Sequence, residues 1–166
     1  QFKKAKGTEI GENILLDLFS KNGFTIISPE QLTLDEQIAV VRNTKLLCGI
    51  IGTLGHNMLF AKPEQHMILV NKTHNINVAQ MDINKMKNLD MTYIDSYLAE
   101  FPSLIGNGPF LITYSEMLNQ YVEKHNWKKP AEDVISETVL KRNLQEYEEM
   151  YRSRNLKNLR LVYEKN

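Results

Sequence analysis

Gly52 and Gly55 bracket Thr53 and Leu54, and His56 and Asn57 follow directly. A bound diphosphate needs close backbone approach, free N–H groups and small polar side chains, and this short segment offers all three. It follows an apolar run at 46–51 and precedes a short helix or turn at 58–61 closed by Pro63. A helix N-terminus contributes roughly 0.3–1 kcal/mol per charge at an exposed site, so hydrogen bonds from the turn must supply most of any affinity. The same two glycines also suit a purely structural strand-to-helix turn, and the segment matches neither G-x-G-x-x-G nor the Walker pattern. His56 stands where an imidazole can donate to a phosphate or a sugar hydroxyl. Glu36 and Gln37, at the start of a helix, can face a ligand across the sheet edge, although Glu36 is already explained by capping.

Other chemistries find less support. The remaining histidines, His66, His74 and His125, show no H-E-x-x-H spacing and pair with no cysteine, so no metal is expected. There is no Asp-x-Asp pair to grip a metal–nucleotide complex and no G-x-S-x-G nucleophile elbow. Cys48 is the single cysteine, which excludes an internal disulfide, and its apolar surroundings predict a buried structural thiol. His66 opens a strand and reads as structural. Asn71-Lys72-Thr73 matches a glycosylation sequon, which has no meaning in a cytoplasmic protein. Tyr147, Met150 and Tyr151 read as a helix-packing face.

The elements that hold these residues follow from periodicity. Ile10, Ile14, Leu15 and Leu18 have helical spacing from Glu9 on, and Asn22-Gly23 is a helix stop. Residues 24–27 look strand-like and Pro29 ends them. Thr33 and Glu36 form a capping box for a helix with Ile38 and Val41 on its inner face. The run 46–51, apolar on both faces, predicts a central parallel strand. Residues 66–70 predict the next strand, 75–87 a helix and 91–94 a last strand. Two prolines and two glycines within 101–110 predict a loop. Thr113 and Glu116 repeat the capping box for a helix reaching about His125, and beyond Pro130 a charged helical stretch puts Leu140, Leu144, Tyr147 and Tyr151 on one face.

Short apolar strands alternating with helices imply an α/β fold, a Rossmann-like parallel sheet with helices on both faces. The expected division is a Rossmann-like domain over 1–128 and a helical C-terminal extension over 129–166. At 166 residues one domain is expected. Lys plus Arg and Asp plus Glu each total 20, so the balance argues against a non-specific polyanion binder and no nucleic acid is expected. No apolar run approaches the roughly 18 residues of a membrane span, and no signal peptide is visible. A cytoplasmic setting is therefore the default. The start at Gln1 rather than Met suggests a longer natural protein.

The order Gly23-Phe24, Pro29-Glu30, Leu32, Leu34, Glu36-Gln37-Ile38, then an apolar strand, then Gly52, Asn57, Phe60 and Pro63 resembles glycosyltransferase family 61. This family includes bacterial capsular-polysaccharide biosynthesis proteins. Asn75-Ile76-Asn77-Val78-Ala79-Gln80 and Tyr93-Ile94-Asp95 also look like bacterial members, so the likeness runs over about residues 8–97. The resemblance implies a GT-B-type enzyme of two Rossmann-like halves, with a nucleotide-sugar donor held mainly by the C-terminal half and no metal. It also implies inversion by direct displacement, a base activating the hydroxyl of a saccharide acceptor. This chain holds one such domain, so it is expected to be the donor-binding half, with an upstream N-terminal domain as its partner. The donor contacts are then Gly52, Thr53, Leu54, Gly55, His56 and Asn57 at the diphosphate, with Glu36 and Gln37 near the nucleoside. A base drawn from the other half lies outside this sequence, so no catalytic residue is named. Two departures stand out. Many relatives carry His-Gly-Ala-Gly in the turn where this chain has Ile51-Gly52-Thr53-Leu54, and the basic residue at the end of the first strand has only Lys3 and Lys4 as nearest equivalents.

The competing class is a non-catalytic Rossmann-like module that binds a partner protein through its charged C-terminal helices. A receiver-type or flavodoxin-like domain finds no support, because no acidic cluster sits at strand ends and no acceptor Asp stands out.

Overall fold

The computed structural model describes residues 9–76, 78–98, 110–145, 148, 149 and 152. Three strands run parallel in the order β2 (Leu46–Ile50), β3 (His66–Asn71), β4 (Asp90–Asp95). Their register is continuous, Leu46 beside His66 beside Asp90 and Val70 beside Ile94. Two shorter strands, β1 (Glu9–Ile10) and β5 (Phe110–Leu111), pair in parallel. A bridge from Tyr97 to Ile112 joins the extension of β4 to that of β5.

Alternation along β3 divides the core into two layers, as a strand buried on both faces requires. Ile68 and Val70, with Ile94, meet helix α1 (Glu12–Lys21) through Leu15, Leu18 and Phe19 and helix α4 (Glu116–Lys124) through Leu118 and Val122. Met67 and Leu69 meet Val41 of helix α2 (Leu34–Asn43) and Met58 and Ala61 of a 3-10 helix (Thr53–Phe60). Helix α3 (Val78–Lys87) packs beside that 3-10 helix. The sheet thus carries helices on both faces, the α/β arrangement expected from the sequence.

Several local expectations are met and several are corrected. Thr33 caps α2 with the full reciprocal box, its side chain accepting from the Glu36 amide while the Glu36 carboxylate accepts from the Thr33 amide at 2.7 Å. The chain leaves α1 through Asn22 and Gly23, the latter at φ 82°. Residues 24–27 form no strand: Phe24 plugs the core, while Ile26 and Ile27 are exposed. The apolar run at 46–51 is not central, because β3 holds the middle of the three-stranded sheet and β2 is half-exposed at its edge. The helix predicted from Asn75 has Val78 as its first described helical residue, with Asn77 outside the described residues. The second capping box is displaced: the helix starts at Glu116 with Ser115 as its cap, accepting from Leu118 N, while the Thr113 amide goes to Ser96 O and its hydroxyl to Asp133 O. The predicted loop falls largely at 99–109, outside the described residues, as do Tyr147, Met150 and Tyr151. Leu140 and Leu144 lie in a helical stretch over 137–145.

At the amino end of the sheet, Phe19, Phe24, Tyr121 and Trp127 form an edge-to-face aromatic cluster with centroids 5.2 Å apart for Phe24–Trp127 and 5.4 Å for Phe19–Phe24. Beside it Asn22 clasps Lys128 in both directions: its amide donates to Lys128 O at 2.8 Å and accepts from Lys128 N at 2.7 Å. The next residues stay on the body, Ala131 N donating to Asp17 and Tyr114 N to Asp133 O. No helix among the described residues is long and apolar enough to cross a membrane.

Candidate functional site

In an open parallel sheet, ligands collect in the crevice beyond the carboxyl ends of the strands. Here that edge is made by Ile50-Ile51-Gly52 where β2 ends, Asn71-Lys72-Thr73 where β3 ends and Asp95-Ser96 where β4 ends. The ladder ends where Ile51 N donates to Val70 O and Ser96 N to Asn71 O.

The predicted turn passes from strand to helix as expected, but the helix is 3-10 and includes almost all of it, Thr53–Phe60. Gly55 N donates to Gly52 O, which leaves the amides of Thr53 and Leu54 with no hydrogen-bond partner among the described residues. Thr53 is exposed and Gly52 half-exposed, so this helix start faces outward. The two glycines have different reasons to be there. Gly52 is extended, and a Cβ built on it meets only Ile50 O at 4.0 Å. Gly55 is buried, and a Cβ there lands 2.4 Å from Oε1 of Gln80, so this glycine lets α3 approach. Leu54 turns back onto the sheet, 3.2 Å from where a Cβ on Gly49 would stand.

The polar residues predicted around the turn are held by one another. Asn57 donates to Gln37 Oε1 at 2.9 Å, and Gln37 in turn donates to Pro29 O at 3.0 Å and Leu32 O at 3.2 Å. Gln37 therefore ties the 3-10 turn at Pro29–Gln31 and the following Leu32 to the 3-10 helix of Thr53–Phe60, which gives Gln37 and Asn57 a structural role. Glu36 is occupied by Thr33, whose amide and hydroxyl hold its carboxyl below the ordinary range. The Nε2 of His56 is buried and has no partner among the described residues, so that nitrogen is not presented to solvent. Cys48 lies half-buried in β2, and desolvation pushes its thiol up to about 12. His66 is structural, its Nε2 3.0 Å from Thr92 and its Nδ1 2.8 Å from Asp90. Lys3 and Lys4 lie outside the described residues.

Charge gathers on the α1 side of the edge. Lys72 pairs with Glu9, both largely shielded, and its ammonium sits 4.1 Å over the ring of Phe110. Burial, reinforced by Glu9 and Glu30 and opposed by Lys72, raises the carboxyl of Glu12. On the other side of β3, buried Asn71 donates to Asp95 at 2.7 Å. In the sequence Asn71 shows only as part of the Asn71-Lys72-Thr73 sequon, and the pairing with Asp95 emerges from the register of β3 and β4. The usable signal was a polar residue closing each of two successive apolar strands.

No curated protein and no solved structure matches the chain. Residues 3–68 match the family model described as Glycosyltransferase 61. That span carries α1, the Gln37 clamp, β2 and the whole 3-10 helix, and the match supports a glycosyltransferase role.

Proposed function

We propose that this chain is the donor-binding domain of an inverting glycosyltransferase that moves a sugar from a nucleotide-sugar onto a growing capsular, cell-surface polysaccharide. In this reading it is the C-terminal half of a GT-B-type enzyme of bacterial type, and an upstream domain of the same protein brings the acceptor and the base. The observation that carries the reading is the outward-facing start of the 3-10 helix at the carboxyl edge of a parallel sheet, with the Thr53 and Leu54 amides unpaired among the described residues, inside the family-matched stretch. Such amides suit a diphosphate. The Gln37–Asn57 clamp fixes that start relative to α2, so the donors are held before a ligand arrives. The role of Gln37 and Asn57 is then to hold the turn, with Gly52 and Thr53 approaching the phosphates.

Thermal shift tests this with UDP, GDP, CDP and their sugars. A ligand at 100 times its Kd adds about 2.7 kcal/mol of stability, or roughly 5–10 °C for a chain of this size. Thr53→Asp places a negative charge where the diphosphate would sit, while suiting the helix start itself. It is expected to keep the melting temperature of the free chain and abolish the nucleotide-induced rise. No rise with any nucleotide at millimolar concentration overturns the reading in favour of a partner-binding module.

A further inference from the structure

The geometry points to Asp95, held in place by buried Asn71, as the group that accepts hydrogen bonds from a vicinal diol of the ligand bound at this edge; the inference rests on the donor-binding reading. Asp95 closes β4 and is exposed, with no ion-pair partner among the described residues. Its Oδ1 takes the Asn71 amide, and among the described residues nothing bonds Oδ2. The backbone beneath it is pinned from three sides: Ser96 N to Asn71 O, the Ser115 hydroxyl to Asp95 O, and the Ser96 hydroxyl to Thr113 O. A carboxylate so fixed keeps one acceptor edge aimed into the crevice, with little rotamer freedom left to lose on binding.

The state of Asn71 is the second, independent observation. It is 4% exposed, and its own Oδ1 is buried with no partner among the described residues. An orphaned buried acceptor is destabilising, and an apolar side chain would fill the same place more comfortably. Among the described residues its amide bonds Asp95 alone, which orients that carboxylate. Unsatisfied buried groups retained in this way point to a functional demand.

Position sets the chemistry. Asn71 and Asp95 lie in register and on the face of the sheet that also carries Met67, Leu69 and the 3-10 helix. Asp95 is two strands from the Thr53 amides, about 10 Å at ordinary strand spacing. That is far enough for salt to weaken its repulsion of a diphosphate at the turn. It is also within reach of the ring hydroxyls that flank one. A carboxylate can accept two hydroxyls at once, which suits the ribose diol or a diol of the transferred sugar.

The test uses the full 166-residue chain and isothermal titration with UDP, GDP, CDP, their sugars and the matching 2′,3′-dideoxy diphosphates. Asp95→Ala is expected to fold with a lowered melting temperature, since it strands the buried Asn71 amide, and to lose roughly 10- to 100-fold in affinity. If the ribose is the partner, the loss appears with the plain diphosphate and vanishes with the dideoxy compound. If the transferred sugar is the partner, it appears only with the nucleotide-sugar. Asn71→Ala should repeat the same pattern more weakly, whereas a merely structural Asn71 would weaken all probes alike. Equal affinity of wild type and Asp95→Ala for every probe overturns this inference and leaves the donor site standing. A wild-type chain that binds no probe overturns both.

Discussion

Two glycines three residues apart in one turn should respond to alanine in opposite directions. In Gly55→Ala the new methyl would stand 2.4 Å from Gln80 Oε1 and 3.2 Å from its Cδ. Gln80 is 1% exposed and donates to Asn84 at 2.8 Å, and Asn84 donates onward to Tyr93. The amide must therefore move within a packed layer and give up a buried hydrogen bond. Overpacking costs about 1–3 kcal/mol and a stranded buried polar group about 1–3 kcal/mol. The helix preference of Ala over Gly returns about 1 kcal/mol. A net loss of about 2–3 kcal/mol is expected. Gly52→Ala meets nothing nearer than 4.0 Å and keeps an extended backbone, so it should gain about 0.4–1 kcal/mol through the unfolded chain. Urea unfolding followed by the fluorescence of Trp127, the only tryptophan, reads both. In a Gln80→Ala background Gly55→Ala should become neutral or stabilising, which isolates the contact as a coupling energy. Equal effects of Gly55→Ala with and without Gln80, or no effect at all, would refute the packing argument.

Three further outcomes are expected. Glu12 has a raised folded pKa, so its contribution to stability is full below the unfolded value and is lost as pH rises through the folded one. Glu12→Gln should therefore melt about 1–2 °C above wild type at pH 7, a figure kept small for solvent screening, and level with it at pH 3. Cys48, pushed up to about 12, should react with a disulfide reagent at pH 8 about a thousandfold more slowly in the native chain than in urea; equal rates would show an accessible thiolate. Thr33→Ala removes the cap that accepts from Glu36 N and should lower stability by about 1 kcal/mol in urea titration; an unchanged midpoint would mean that α2 is held by tertiary contacts alone.

The parts of this fold that were legible in the sequence are those fixed by local chemistry. The runs at 46–51, 66–70 and 91–94 became β2, β3 and β4, and the Thr33–Glu36 box caps α2 as read. What depends on distant partners was not legible. Residues 24–27 have a strand's composition, but composition supplies no neighbouring ladder, and Phe24 is used instead as a core plug. Thr113 and Ser115 offer similar hydroxyls, and long-range partners separate them, the Thr113 hydroxyl going to Asp133 O and the Ser115 hydroxyl to Asp95 O while it accepts from Leu118 N. The turn was located correctly, yet the motif residues Gln37 and Asn57 are bonded to each other across 20 positions, which spacing alone does not reveal. The Asn71–Asp95 pair was hidden for the same reason, because register between β3 and β4 brings it together.

The clasp between Asn22 and Lys128 spans 106 positions and closes the first helix against a residue that the ribosome delivers far later. Until Trp127 and Lys128 emerge, α1 has neither its aromatic lid nor its latch. Nascent chains that stop short of them should remain protease-sensitive throughout, however many strands they already contain. Maturation of this unit is then a single late event, timed by its carboxyl-side segment and not by gradual accretion from the amino end.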